Sequence, residues 1–190
     1  MSKIVMYQGK ECCVREYIAR KLDELLKEPI AVCSVLAVLN VISNCDSEYV
    51  SREDVHEAYT VTPEYYRQCY KVLDFEEDDV AIGIAGIWKP SHKTSFLDYC
   101  DMHEANVFSL EAQVDWLVYF IADNSELMTT LTNPDNDMYK YFSSFIDAIG
   151  RGQYSRKKLC KDMTIHRLIY EVNGFLDDYY DSEWWRVNTI

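Results

Sequence analysis

Glu28–Ser47 reads EPIAVCSVLAVLNVISNCDS, and this stretch organises the rest of the chain. Pro29 suits the first position of a helix, because the N–H it lacks would have no intrahelical partner there. Ile30 to Ile42 is almost wholly apolar, broken only by Ser34 and Asn40, and has no polar face. A helix that is apolar all round must be buried, so the other segments are expected to pack around it. It is too short to cross a bilayer. The polar run Ser43-Asn44-Cys45-Asp46-Ser47 ends it, and a buried helix opening into a polar loop is a natural place for a cleft.

Ala31-Val32-Cys33-Ser34-Val35-Leu36 opens a segment that resembles the central helix of phage tail-type lysozyme domains, whose pattern reads roughly AVAGILGNIQxESxFNP. Laid on without gaps, that pattern puts its Gly-Asn pair on Ala37-Val38, its catalytic glutamate on Ile42 and the following serine on Ser43. Val80-Ala81-Ile82-Gly83-Ile84-Ala85-Gly86-Ile87-Trp88, with His92 and Lys93 beyond it, is similar to the family's G-[LI]-A-Q-W-T-x-x-x-R-K. Gly83, Ile84, Ala85 and Lys93 match. Gly86, Ile87, Trp88 and His92 replace Gln, Trp, Thr and Arg. Ser109-Leu110-Glu111-Ala112-Gln113-Val114-Asp115-Trp116-Leu117 looks like the D-L-x-x-Q-L-D-[YF]-L helix and is the most specific match. The resemblance spans roughly residues 14 to 150 of a single domain covering 1–190, with a helical extension over 155–190. It implies a mainly α, lysozyme-like fold around the buried helix, with at most a small β element near residues 80–88. A different all-α bundle built on the same helix is the alternative.

Around this core the periodicity predicts further elements. Glu11 to Lys27 reads as an amphipathic helix with Val14, Ile18, Leu22, Leu25 and Leu26 on one stripe. A short helix is expected to start at Ser51-Arg52-Glu53-Asp54, and a better-signalled one at Thr62-Pro63-Glu64, running to Val72. Val80–Trp88 is the best strand candidate. Ser109 is a natural N-cap for a helix running to about Thr130, with Leu110, Val114, Leu117, Val118 and Ile121 inward. Asn133-Pro134-Asp135 breaks it before a helix over Asp137–Ile149, closed by Gly150. Gly150 to Lys161 is a basic exposed turn, and Thr164 to Tyr180 a last helix.

The chain has 190 residues, enough for one sizeable core, and 32 acidic against 19 basic residues give a net charge of −13. That balance argues against direct nucleic-acid binding, which needs clustered cations on phosphates. It favours a basic protein partner, though solubility alone explains many acidic chains. Seven scattered cysteines without a C-x-x-C pair suggest a reduced, cytoplasmic chain. No leader, membrane span or metal-ligand spacing is expected, and no cofactor.

Lysozyme chemistry needs a carboxylic acid held in an apolar pocket so that it can protonate the glycosidic oxygen. Isoleucine cannot do this, and general acid catalysis supplies about 10²–10⁴-fold. No catalytic residue is therefore expected; Asp46 and Glu48, just past the helix, are the fallback acids of a divergent peptidoglycan hydrolase. The weight falls on acidic clusters: Glu76, Glu77, Asp78 and Asp79, then Asp98, Asp101 and Glu104, the last three spaced to share one helix face. With Trp88, Tyr99, Trp184 and Trp185 they suggest an acidic, aromatic-rimmed patch for a basic groove, such as that of a host nuclease. The expected function is a non-catalytic binder, most concretely a phage or mobile-element inhibitor of the anti-CRISPR type. A structural tail component is a third reading.

Overall fold

The computed structural model describes residues 4–52, 80–87 and 89–150. The order is β1 (Ile4–Tyr7), β2 (Lys10–Cys13), α1 (Val14–Leu26), α2 (Pro29–Ser43), β3 (Val50–Arg52), β4 (Val80–Ile82), α3 (Pro90–Met102), α4 (Leu110–Asp123), α5 (Ser125–Leu131) and α6 (Met138–Ala148). The fold is mainly helical with small two-stranded sheets.

α2 is the expected buried helix. Pro29 begins it, the Glu28 carboxylate accepts from the Ile30 N–H, and Asn44 ends it in the left-handed conformation. Of its residues only Ile30, Asn40 and Val41 are not fully buried. Burial of each Val, Leu or Ile here contributes about 1.5–3 kcal/mol. Within this apolar helix the Ser34 hydroxyl is satisfied by donating 2.7 Å to the Ile30 carbonyl. α1 and α6 pack on α2, and α1 also packs on α4. Ile18, Leu22 and Leu26 of α1 are buried, as are Tyr141, Phe142, Phe145 and Ile146 of α6.

Several expectations are corrected. Glu11 to Cys13 is not helical: β1 and β2 form an antiparallel hairpin, Met6 opposite Glu11 and Tyr7 opposite Lys10. Gln8 and Gly9 turn it, both at positive φ (47° and 79°), as a two-residue type I′ connection requires. Ser51 and Arg52 lie in a strand rather than at a helix start, because β3 pairs with β4, Val50 opposite Ile82. The strand expected over Val80–Trp88 stops at Ile82; Gly83–Gly86 turns back and Ile87 bridges Ile82. The long helix from Leu110 is interrupted at Asn124, whose extended backbone (φ −90°, ψ 93°) lets its side chain cap α5 by accepting from the Leu127 N–H. Val118 is only partly buried.

Local signals elsewhere hold. Ser109 caps α4 and Gly150 (φ 83°) follows α6; Asp137, expected as the first helical residue, is instead the N-cap of α6. The helices read over Pro63–Val72 and Thr164–Tyr180 and the basic turn after Gly150 lie outside the described residues, as do Glu76, Glu77, Asp78, Asp79, Trp88, Trp184 and Trp185.

Candidate functional site

The C-terminal end of α2 is where the resemblance would build a cleft. Ile42 is 5% exposed there and belongs to the apolar core. The next residue, Ser43, is also buried; its hydroxyl donates to the Ile84 carbonyl at 2.7 Å, with the Leu39 carbonyl at 3.1 Å. The chain then turns through Asn44 and Cys45, both at positive φ (56° and 59°). Asp46 Oδ1 accepts from the Glu48 N–H at 3.0 Å, an Asx turn that shapes the loop. Asp46 and Glu48 are both exposed on this loop.

Gln113 ties this end of the molecule together. Its Nε2 donates 2.7 Å to the Ser47 carbonyl and 2.7 Å to the Val107 carbonyl, and its Oε1 accepts from the Ile84 N–H at 2.8 Å. One buried amide thereby satisfies three loops that share no secondary structure, the loop after α2, the turn after β4 and the loop before α4. Gly83 (φ 68°) belongs to the same arrangement, because a Cβ there would stand 2.7 Å from Gln113 Oε1. Gln113 was legible only as one position of a motif; its bonding role depends on loops distant in sequence. Among the described residues the groups that meet here are backbone amides, the Gln113 amide, the Ser43 hydroxyl and hydrocarbon. The region holds loops in place and offers no buried carboxylate among the described residues.

The acidic face lies instead at the C-terminal end of α3. Asp98 and Asp101, one turn apart, are exposed on that helix. Glu104 is exposed but does not share their helix face as expected: α3 ends at Met102, and Glu104 sits beyond it at φ 49°. Among the described residues no cation forms an ion pair with Asp98 or Glu104. Met102, 77% exposed, stands between the acids. The Tyr99 ring lies 4.3 Å from that of His103 and 6.5 Å from that of Tyr119, which is 54% exposed. Met102 and Tyr119 were not anticipated; their exposure depends on how α3 and α4 pack. Farther along α4, Asp115 holds Lys21 of α1 at 2.8 Å, and this hydrogen bond raises the Lys21 ammonium.

Other titratable groups serve the frame. His92 packs 5.0 Å from Phe120 and hydrogen-bonds to the Ile149 backbone; burial, with Lys89 nearby, lowers its imidazole. Burial raises the Glu28 carboxyl at the start of α2, and the Cys12 and Cys33 thiols. A raised thiol is a poor nucleophile at neutral pH. Lys93, which matches the family pattern, is fully buried rather than lining an open cleft. Among the described residues no group of three His, Cys, Asp or Glu side chains is placed to hold a metal ion, and no helix is long and apolar enough to cross a membrane.

No family model matches the chain, and neither a curated protein nor a solved structure matches it.

Proposed function

We propose that this chain is a non-catalytic, lysozyme-like protein that acts by binding another protein through an acidic surface. In its most concrete form it is a phage or mobile-element inhibitor of the anti-CRISPR type, active in the host cytoplasm, occupying the cationic groove in which a host nuclease would hold nucleic acid. The observation that supports this reading most is Ile42: a hydrocarbon side chain packed into the core at the position where the resemblance expects the proton donor. Beside it stands the exposed set Asp98, Asp101 and Glu104, together with Met102 and Tyr119. Carboxylates around exposed apolar and aromatic side chains are suited to a basic partner, since complementary charge steers encounter and aromatics anchor it.

The test is capture of purified host nucleases by the immobilised chain, followed by nuclease assays at low and high salt. A nuclease inhibited at low salt and released at high salt supports the reading. Absence of any captured nuclease at either salt overturns it, as does clearing of cell-wall suspensions by the wild type that Asp46→Asn or Glu48→Gln abolishes.

A further inference from the structure

The N-terminal hairpin carries a second surface, independent of the acidic face on α3. In a two-residue I′ hairpin the residues flanking the turn form the hydrogen-bonded pair, and the pattern then alternates along the strands. Tyr7 and Lys10 flank this turn, so Ile4 and Met6 direct their backbone N–H and C=O groups away from β2. Among the described residues no strand pairs with that edge of β1. The side chains of the same two residues are 65% and 55% exposed, whereas Val5 between them is buried against the core. Native sheets normally blunt such an edge with charge, proline or a bulge. Here two adjacent outward positions are apolar.

Beside this edge runs an open groove of about 580 Å³ lined by Ile4, Val5, Met6, Phe108 and Leu110, with Glu11 and Glu111 among its walls. Both carboxylates are on exposed residues. Glu11 lies directly across the hairpin from Met6, and Glu111 is in the first turn of α4.

We infer that this groove takes an extended segment of a partner protein, added to β1 as a third strand, with apolar side chains alternating with Lys or Arg. The edge of β1, unpaired among the described residues, supplies main-chain hydrogen bonds. The apolar floor receives alternate side chains. Glu11 and Glu111 select basic over acidic sequences.

The probe is the capped peptide VKVKVK, compared with its acidic twin VEVEVE and with a copy N-methylated at alternate residues, each titrated into the full ¹⁵N-labelled chain. Binding of VKVKVK with amide shifts centred on Ile4, Val5, Met6 and Leu110 is the expected result. Glu11→Gln combined with Glu111→Gln is expected to weaken it about tenfold, and N-methylation to abolish it. The inference is overturned by no binding, by equal binding of VEVEVE, or by indifference to N-methylation. It is also overturned if light scattering finds a dimer that Met6→Lys dissociates, since a second copy would then be the occupant.

Discussion

Gln113 Nε2 lies 2.7 Å from the carbonyl oxygen of Ser47, 66 positions earlier in the chain. That bond, with those to Val107 and Ile84, joins the loops at one end of α2 through a single buried side chain. Removal of the amide takes a buried hydrogen bond from the Ser47 and Val107 carbonyls and from the Ile84 N–H, each loss costing about 1–3 kcal/mol. Gln113→Ala should therefore destabilise by about 3–5 kcal/mol in urea unfolding. Gly83→Ala should cost about 1–3 kcal/mol, partly from its positive φ and partly from the contact with Gln113 Oε1. In a double-mutant cycle the two costs should sum to more than the double variant loses, because only the contact is relieved.

Ile42→Glu tests the proposed lysozyme-like reading by placing a carboxyl where that resemblance expects one. A carboxyl placed at this buried position has no partner among the apolar groups around it. The variant should lose about 3–5 kcal/mol of stability at neutral pH and regain part of it in acid, where the carboxyl is neutral. Cell-wall turbidity should stay unchanged with this variant. Clearing by folded Ile42→Glu protein would favour the enzymatic reading over the proposed one.

His92 sets a pH dependence. Burial lowers its imidazole from the ordinary 6.5, so below that value the unfolded chain takes up a proton that the folded chain resists. Stability contributed by neutral His92 is thus complete above about pH 6.5 and is lost as the pH falls toward the lowered value. Melting temperatures should fall more steeply for wild type than for His92→Gln between about pH 7.5 and about pH 5. Parallel curves would remove His92 from the acid response.

Asp98→Asn, Asp101→Asn and Glu104→Gln together test the acidic face. All three residues are exposed, so thermal unfolding should move by no more than about 0.5 kcal/mol equivalent per site. Affinity for a captured basic partner should fall about tenfold or more at low salt, with the difference shrinking at high salt. Calorimetry at two ionic strengths separates this outcome from a general loss of fold.

Elements with local causes were legible from the residues alone. Pro29 after Glu28, the apolar run to Ile42 and the cap at Ser109 rest on residues close together in the chain, so the sequence contains both partners of the interaction. Of the candidate site, Asp98 and Asp101 were legible because a spacing of three residues places them one turn apart on any helix. Glu104 was misplaced, because the end of α3 at Met102 carried no recognised stop signal. The acidic cluster Glu76 to Asp79 and the aromatics Trp88, Trp184 and Trp185 lie outside the described residues.

By itself the sequence determined a buried central helix, a mainly helical fold and a strongly acidic chain. Only the tertiary structure decided that Ile42 is walled into the core, that Gln113 bonds three separate loops, that Asn124 splits the helix after Leu110, and that Ile4 and Met6 stand on a strand edge that no other strand pairs among the described residues. Periodicity and capping are short-range, carried by neighbours in the chain. The burial of a side chain and the partner of a buried amide depend on segments that meet only when the chain has folded.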